Sequence, residues 1–189
     1  MRTDIYMVRH AHSNYSSDEL GRGVSQKGKN DLQLVTELLV GENVDVVISS
    51  PYRRAIETVE GVAQALCLHI VLEERFKERI LSHEPVEDFH SALKKVWDNP
   101  EFAHKGGESN FEAAQRGIEG LMDILEKYKE KKIAIGTHGN IMAIIMNSLD
   151  KQYDYWFWRS LSMPDIYKLS FEEKNLVEVK RIWDRETIA

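Results

Sequence analysis

Four segments of this 189-residue chain place a reactive or cationic side chain just past an apolar run or at the start of a helical pattern. They are "VRHAHS", "ISSPYRRAIET", "RFKERIL" and "IGTHGNIM". Together they offer Arg9, His10, Arg53 or Arg54, Glu78 and His138. That set suits phosphoryl transfer through a histidine. A phosphate monoester carries up to two negative charges, and a nucleophile can approach phosphorus only once they are met. Paired guanidiniums meet them with planar, forked donors. A neutral imidazole then attacks, and the covalent intermediate splits one hard step into two easier ones. A carboxylic acid protonates the leaving oxygen and, once ionised, activates water.

Segments so far apart can meet only if the fold gathers them. Runs rich in β-branched residues predict strands at Asp4–Val8, Val44–Ser49, His69–Leu72 and Lys132–Thr137. Their near-continuous apolar character suits parallel strands covered on both faces. Between them, Arg54 to Leu66 and Phe111 to Tyr128 carry apolar stripes at helical spacing. The alternation predicts an α/β fold, a three-layer α/β/α sandwich on a mostly parallel sheet, in one domain over residues 1–189. In such sheets ligands gather at the carboxyl ends of the strands, where the four segments would converge. The stretch from Ile80 to Gly107 breaks the alternation. Pro85 opens a helical pattern that Asn99-Pro100 closes, so residues 80–107 are expected as a helical insertion over the active-site end. "IYKLSF" and "LVEVKRI" predict a hairpin joined at Glu172–Asn175.

Composition narrows the classes. A net charge of -6 without a basic stripe argues against a nucleic-acid partner. The chain has no apolar run of the ~18 residues that span a bilayer and no secretory pattern, so a soluble, cytoplasmic protein without a membrane partner is expected. The single cysteine, Cys67, rules out an internal disulfide and reads as a small core residue.

Taken in order, "VRHAHS", "SSPYRRAIET", "ERFKERIL", "GGES" and "THGNI" resemble the histidine phosphatase superfamily, the fold of cofactor-dependent phosphoglycerate mutases and related phosphatases. The resemblance runs from about Ile5 to "MPDIYKLSF". It implies a phosphohistidine at His10, with Arg9, Arg54 and His138 holding the phosphoryl oxygens and Glu78 as proton donor. Arg53 falls on a position that the family leaves variable. Ala11 and His12 stand where glycine and often glutamate occur, and Ser16 where an asparagine often follows. His12 and Ser16, with Gly139 and Asn140 of the "THGN" turn, are therefore the expected substrate contacts. The turn itself, at a strand-to-helix junction, is a natural anion site.

The expected activity is metal-independent hydrolysis of a small phosphorylated substrate, with no cofactor. Hydrolysis is preferred to mutase action because the chain is short for the family's mutases and lacks a tryptophan–asparagine pair after the first motif. The alternatives are a mutase-type isomerase and a non-catalytic binder of a phosphorylated metabolite. Glu73 and Glu74 compete with Glu78 on local grounds, and family register favours Glu78. Glu108 and Ser109 read as caps of the Phe111 helix. His83, His90 and His104 match no zinc spacing. Trp156, Phe157 and Trp158 are assigned to core packing, with a homodimer contact as the alternative.

Overall fold

The computed structural model describes residues 2–184. Its elements are β1 (Arg2–Arg9), α1 (Gln26–Gly41), β2 (Val46–Ser49), α2 (Arg53–Ala65), β3 (Ile70–Leu72), α3 (Phe89–Asp98), α4 (Asn110–Lys127), β4 (Lys132–Thr137), α5 (Gly139–Leu149), α6 (Tyr155–Ser160), β5 (Asp165–Glu172) and β6 (Asn175–Arg181). The strands form one sheet in the order β3-β2-β4-β1-β5-β6. The first four are parallel; β5 runs antiparallel to β1, and the β5–β6 hairpin closes the edge. The four strand forecasts, both helical stripes and the hairpin are all present.

The period-two rule explains the layers. Ile5 and Met7 of β1 and Ile133 and Ile135 of β4 face α4 and α5, packing with Leu121, Leu125, Ile141 and Ile145. The alternate residues Tyr6, Val8 and Ala134 face α1 and α2, packing with Val35, Leu39, Val59 and Val62. Each strand is therefore apolar in both phases, which produced its unbroken apolar run. Gly136, next in the second phase, lets α2 come close: a Cβ there would lie 2.9 Å from the Ala55 carbonyl oxygen.

The insertion is partly helical. Its helix starts at Phe89, later than Pro85 suggested, because the Asp88 side chain accepts from His90 N and sets the N-cap there. Leu93 and Val96 of α3 pack with Tyr155 of α6, forming a small separate cluster. Three further expectations are corrected. Cys67 is exposed, since the chain leaves α2 one residue earlier and turns through a positive φ of 54° at Cys67. Trp156 is 62% exposed, so only Phe157 and Trp158 of the aromatic cluster pack inward. Ser109 alone caps α4, in a reciprocal pair with Glu112, whereas Glu108 binds Arg116.

Candidate active site

Strand register builds the site. Arg9 is the last residue of β1 and pairs with Thr137 of β4, while Ser49 of β2 pairs with Gly136. The next residues stay in step: His10 N donates to Thr137 O at 3.0 Å, and Ser50 N to Gly136 O at 2.8 Å. His10, Ser50 and His138 therefore stand side by side where three parallel strands end. α2 begins three residues after Ser50, which brings Arg54 over the same point. Ala11, fully buried, donates from its amide to Thr58 Oγ1 of α2 at 3.0 Å, fixing the chain behind His10. Among the described residues the left-handed non-glycine positions do not include Ala11, so the alanine fits without strain.

The two nitrogens of His10 are distinguished by their partners. Nδ1 lies 2.7 Å from its neighbour's carbonyl, Ala11 O, which can only accept. Nδ1 therefore carries the proton, and Nε2 offers its lone pair to Arg54 Nε, 3.2 Å away. Burial lowers the His10 pKa to about 3; the Ala11 bond opposes this, and the charges of Arg54, Arg9 and Arg22 reinforce it. The ring is thus neutral across the physiological range. His138 stands edge-on to it, ring centroids 5.2 Å apart, and burial followed by the His10 and Arg54 charges holds its pKa well below the usual imidazole range. Its Nε2 meets Ser50 Oγ at 2.8 Å, while Nδ1 has no partner among the described residues.

Arg9 is aimed by Nη1 donating to Leu161 O and Ser162 O at 2.8 and 3.2 Å. Its guanidinium crosses the start of α5, where only a glycine leaves room: a Cβ on Gly139 would lie 2.9 Å from Arg9 Nε. Arg54 is 1% exposed and reaches the Glu19 carbonyl and carboxylate with its other two nitrogens. Glu78 accepts from three backbone amides, those of Arg79, Asn140 and Ile141, at 2.9 to 3.1 Å. It therefore occupies the α5 N-terminus that the "THGN" turn had suggested for the substrate anion.

Arg9, His10, Arg54, Glu78, Gly139 and Asn140 line one cleft of about 730 Å³, with His138 buried beside His10. Two expected contacts are elsewhere. His12 turns from the cleft to Ser25, the N-cap of α1, with Nδ1 2.7 Å from Oγ. Ser16 lines a separate surface hollow and accepts from the Asp18 amide; Ser13 takes the cleft position. Arg53 is outside, bound to Glu57. The cleft also holds Glu19, Arg22, Tyr52 and Arg79, which the sequence reading missed. Arg79 had a signal: a charged residue set directly between the expected acid and the apolar pair Ile80-Leu81. Among the described residues, no cluster of three or more His, Cys, Asp or Glu is arranged to hold a metal, and no helix is long and apolar enough to cross a membrane.

Comparison with known proteins decides the family. The sequence profile of the histidine phosphatase superfamily (branch 1) matches residues 5–184, nearly the whole chain. The chain belongs to this superfamily. Among relatives of this histidine phosphatase is phosphoserine phosphatase 1 of Hydrogenobacter thermophilus, 24% identical over 71% of the chain and 70% of the relative. Another is the glucosyl-3-phosphoglycerate phosphatase of Mycolicibacterium vanbaalenii, 20% identical over 77% of the chain and 73% of the relative. The solved structure of a mycobacterial glucosyl-3-phosphoglycerate phosphatase complexed with VO3 superposes with a TM-score of 0.79, at 19% identity over 94% of this chain and 97% of that one. The fold is shared, and the family and these relatives make this histidine phosphatase a phosphatase enzyme.

Proposed function

We propose that the enzyme hydrolyses a small phosphate monoester through a phosphohistidine on His10. The observation that carries this reading is the state of that ring: Nδ1 tied to Ala11 O, and a neutral ring with an unprotonated Nε2 facing Arg54. Nε2 attacks phosphorus, the nitrogen–phosphorus bond forms, and the bond to the ester oxygen breaks. Glu78 gives its proton to the departing oxygen. Water then attacks the phosphohistidine, Glu78 takes a proton from that water, and His10 leaves with its original tautomer. Arg9 and Arg54 meet the equatorial charge with donors already fixed in place. His138, edge-on to the His10 ring, would hold a further phosphoryl oxygen once the group seats against His10. The scheme requires no metal, because the guanidiniums already supply the positive charge.

The test is trapping. Wild-type protein mixed with substrate and quenched in alkali should carry a phosphoryl adduct on residue 10 by peptide mass spectrometry. His10→Ala should keep its fold and lose turnover by about three orders of magnitude or more. Full activity in His10→Ala would remove the mechanism.

A further inference from the structure

The sheet ends on two unlike edges, β3 and β6. β6 is guarded against pairing. It carries Glu178, Lys180 and Arg181, and a bulge at Ser170/Phe171 interrupts its register with β5. β3 has no such guard. Ile70, Val71 and Leu72 bring neither charge nor proline, and Val71 and Leu72 are 41% and 56% exposed. Extended backbone continues through Glu73, at φ -133° and ψ 108°. Among the described residues no strand lies on the far side of β3. An apolar edge left open in this way is a template for another strand.

The direction of its backbone groups says which strand fits. Glu73 N donates to Ser49 O of β2 at 2.9 Å. Backbone groups alternate in direction along a strand, so those of Val71 also face β2, whereas those of Ile70 and Leu72 face outward. A second β3 laid antiparallel, with Val71 opposite Val71 across a two-fold axis, sets Ile70 against Leu72 on each side of that axis. Both residues present outward groups, so each such pair exchanges both of its N–H···O bonds. Every cross-strand side-chain pair is then apolar, Ile70 with Leu72 on one face and Val71 with Val71 on the other. At the two ends His69 falls opposite the Glu73–Arg75 ion pair, so no bare like charges meet. A strand of unrelated sequence would lack this match, and a second copy of the chain has it by symmetry.

We propose that β3 is the interface of a homodimer in which the two six-stranded sheets join into one across antiparallel β3 strands. Ile70, Val71 and Leu72 do not line the cleft, so the dimer stands or falls independently of the phosphatase reading.

Sedimentation equilibrium over a range of protein concentrations tests it. At the upper end wild type should show twice the mass of one chain. Val71→Lys and Val71→Glu each set like charges against one another at the axis, and each should show the mass of one chain under the same conditions, with an unchanged circular dichroism spectrum. Mixed in equal amounts, the two variants should recover the dimer through a lysine–glutamate pair. Leu72→Pro removes an outward N–H and spares the ladder to β2, so it should also be monomeric; it serves should the charged variants fold poorly. A wild type that keeps the mass of one chain throughout overturns the proposal. So does a dimer that survives these variants, or a mixture of the two charge variants that stays monomeric. A dimer dissolved by Trp156→Ser instead would move the contact to α6 and overturn the assignment of β3.

Discussion

Glu19 reaches Arg54 across the mouth of the cleft, its Oε2 3.0 Å from Arg54 Nη2. The same carboxylate oxygen lies 3.2 Å from Arg22 Nη2. A half-exposed acid therefore sits on the guanidinium that the proposed mechanism assigns to the phosphoryl group. It competes with any incoming dianion, although exposure and salt weaken its hold. Glu19→Gln should tighten competitive inhibition by inorganic phosphate by about three- to tenfold. Initial-rate assays at fixed ionic strength would check this, and a weaker inhibition constant would assign Glu19 to orienting Arg54 instead.

The His10 and His138 rings, both kept neutral by burial, predict the response to acid. Because the folded-state pKa of His10 is about 3, below the ordinary value of 6.5, the unfolded chain binds a proton between those values that the folded chain refuses. Stability from His10 is therefore fully present above pH 6.5 and falls as the pH drops towards 3, by about 1.4 kcal/mol per pH unit, and His138 acts in the same direction. Thermal melts should show this slope, and His10→Asn should flatten it. The rate of phosphoenzyme formation should not fall with a midpoint near 6.5 from His10. An acid limb there would follow the second ionisation of the substrate phosphate, and changing the ester's pKa would move it.

Gly139 gives a steric test. Adding one methyl group, as Gly139→Ala, sets a Cβ against the Arg9 guanidinium. Arg9 is held from behind by Leu161 O and Ser162 O, so the clash must shift Arg9 or the first turn of α5. A displacement of about 1 Å at a positioning group can cost ~100-fold in rate. We expect kcat/KM to fall by that order, with a smaller loss of about 1–3 kcal/mol in stability. Chemical denaturation and initial rates on the same preparation separate the two.

Ser109 supplies a control at a residue that does not line the cleft. It caps α4 in a reciprocal arrangement with Glu112. Ser109→Ala should cost about 1 kcal/mol of stability and leave kcat within about twofold. A urea titration beside an activity assay checks both.

Chelation addresses the charge accounting directly. Prolonged dialysis against EDTA should leave hydrolysis unchanged, since Arg9 and Arg54 provide the positive charge in the proposed scheme. A loss restored by a divalent cation would contradict that scheme.

What the sequence disclosed follows physical lines. The central strands were legible because β1 and β4 are apolar in both phases, as Ile5 and Met7 against Tyr6 and Val8 show. The difference between Arg53 and Arg54 was legible through family register, and burial now explains it: Arg54 faces His10 while Arg53 pairs with Glu57 in solvent. What stayed hidden depends on how the chain turns after an element. His12 lies two residues beyond His10, yet the path after β1 carries it to the α1 cap. Cys67 and Trp156 continue apolar patterns whose helices end or rotate before they can be buried. Glu19 and Arg22 lie between β1 and α1, in a stretch without regular periodicity, so nothing local pointed them at the cleft.

The two carbonyls that aim Arg9 belong to residues more than 150 positions further along the chain. A ribosome translating this message emits every signature motif, the last of them at "THGNI", well before it reaches Leu161 and Ser162. The nascent polypeptide can therefore hold its reactive imidazole without a correctly oriented clamp beside it. Arg9 gains its orientation only once the segment leading into β5 docks beside β1.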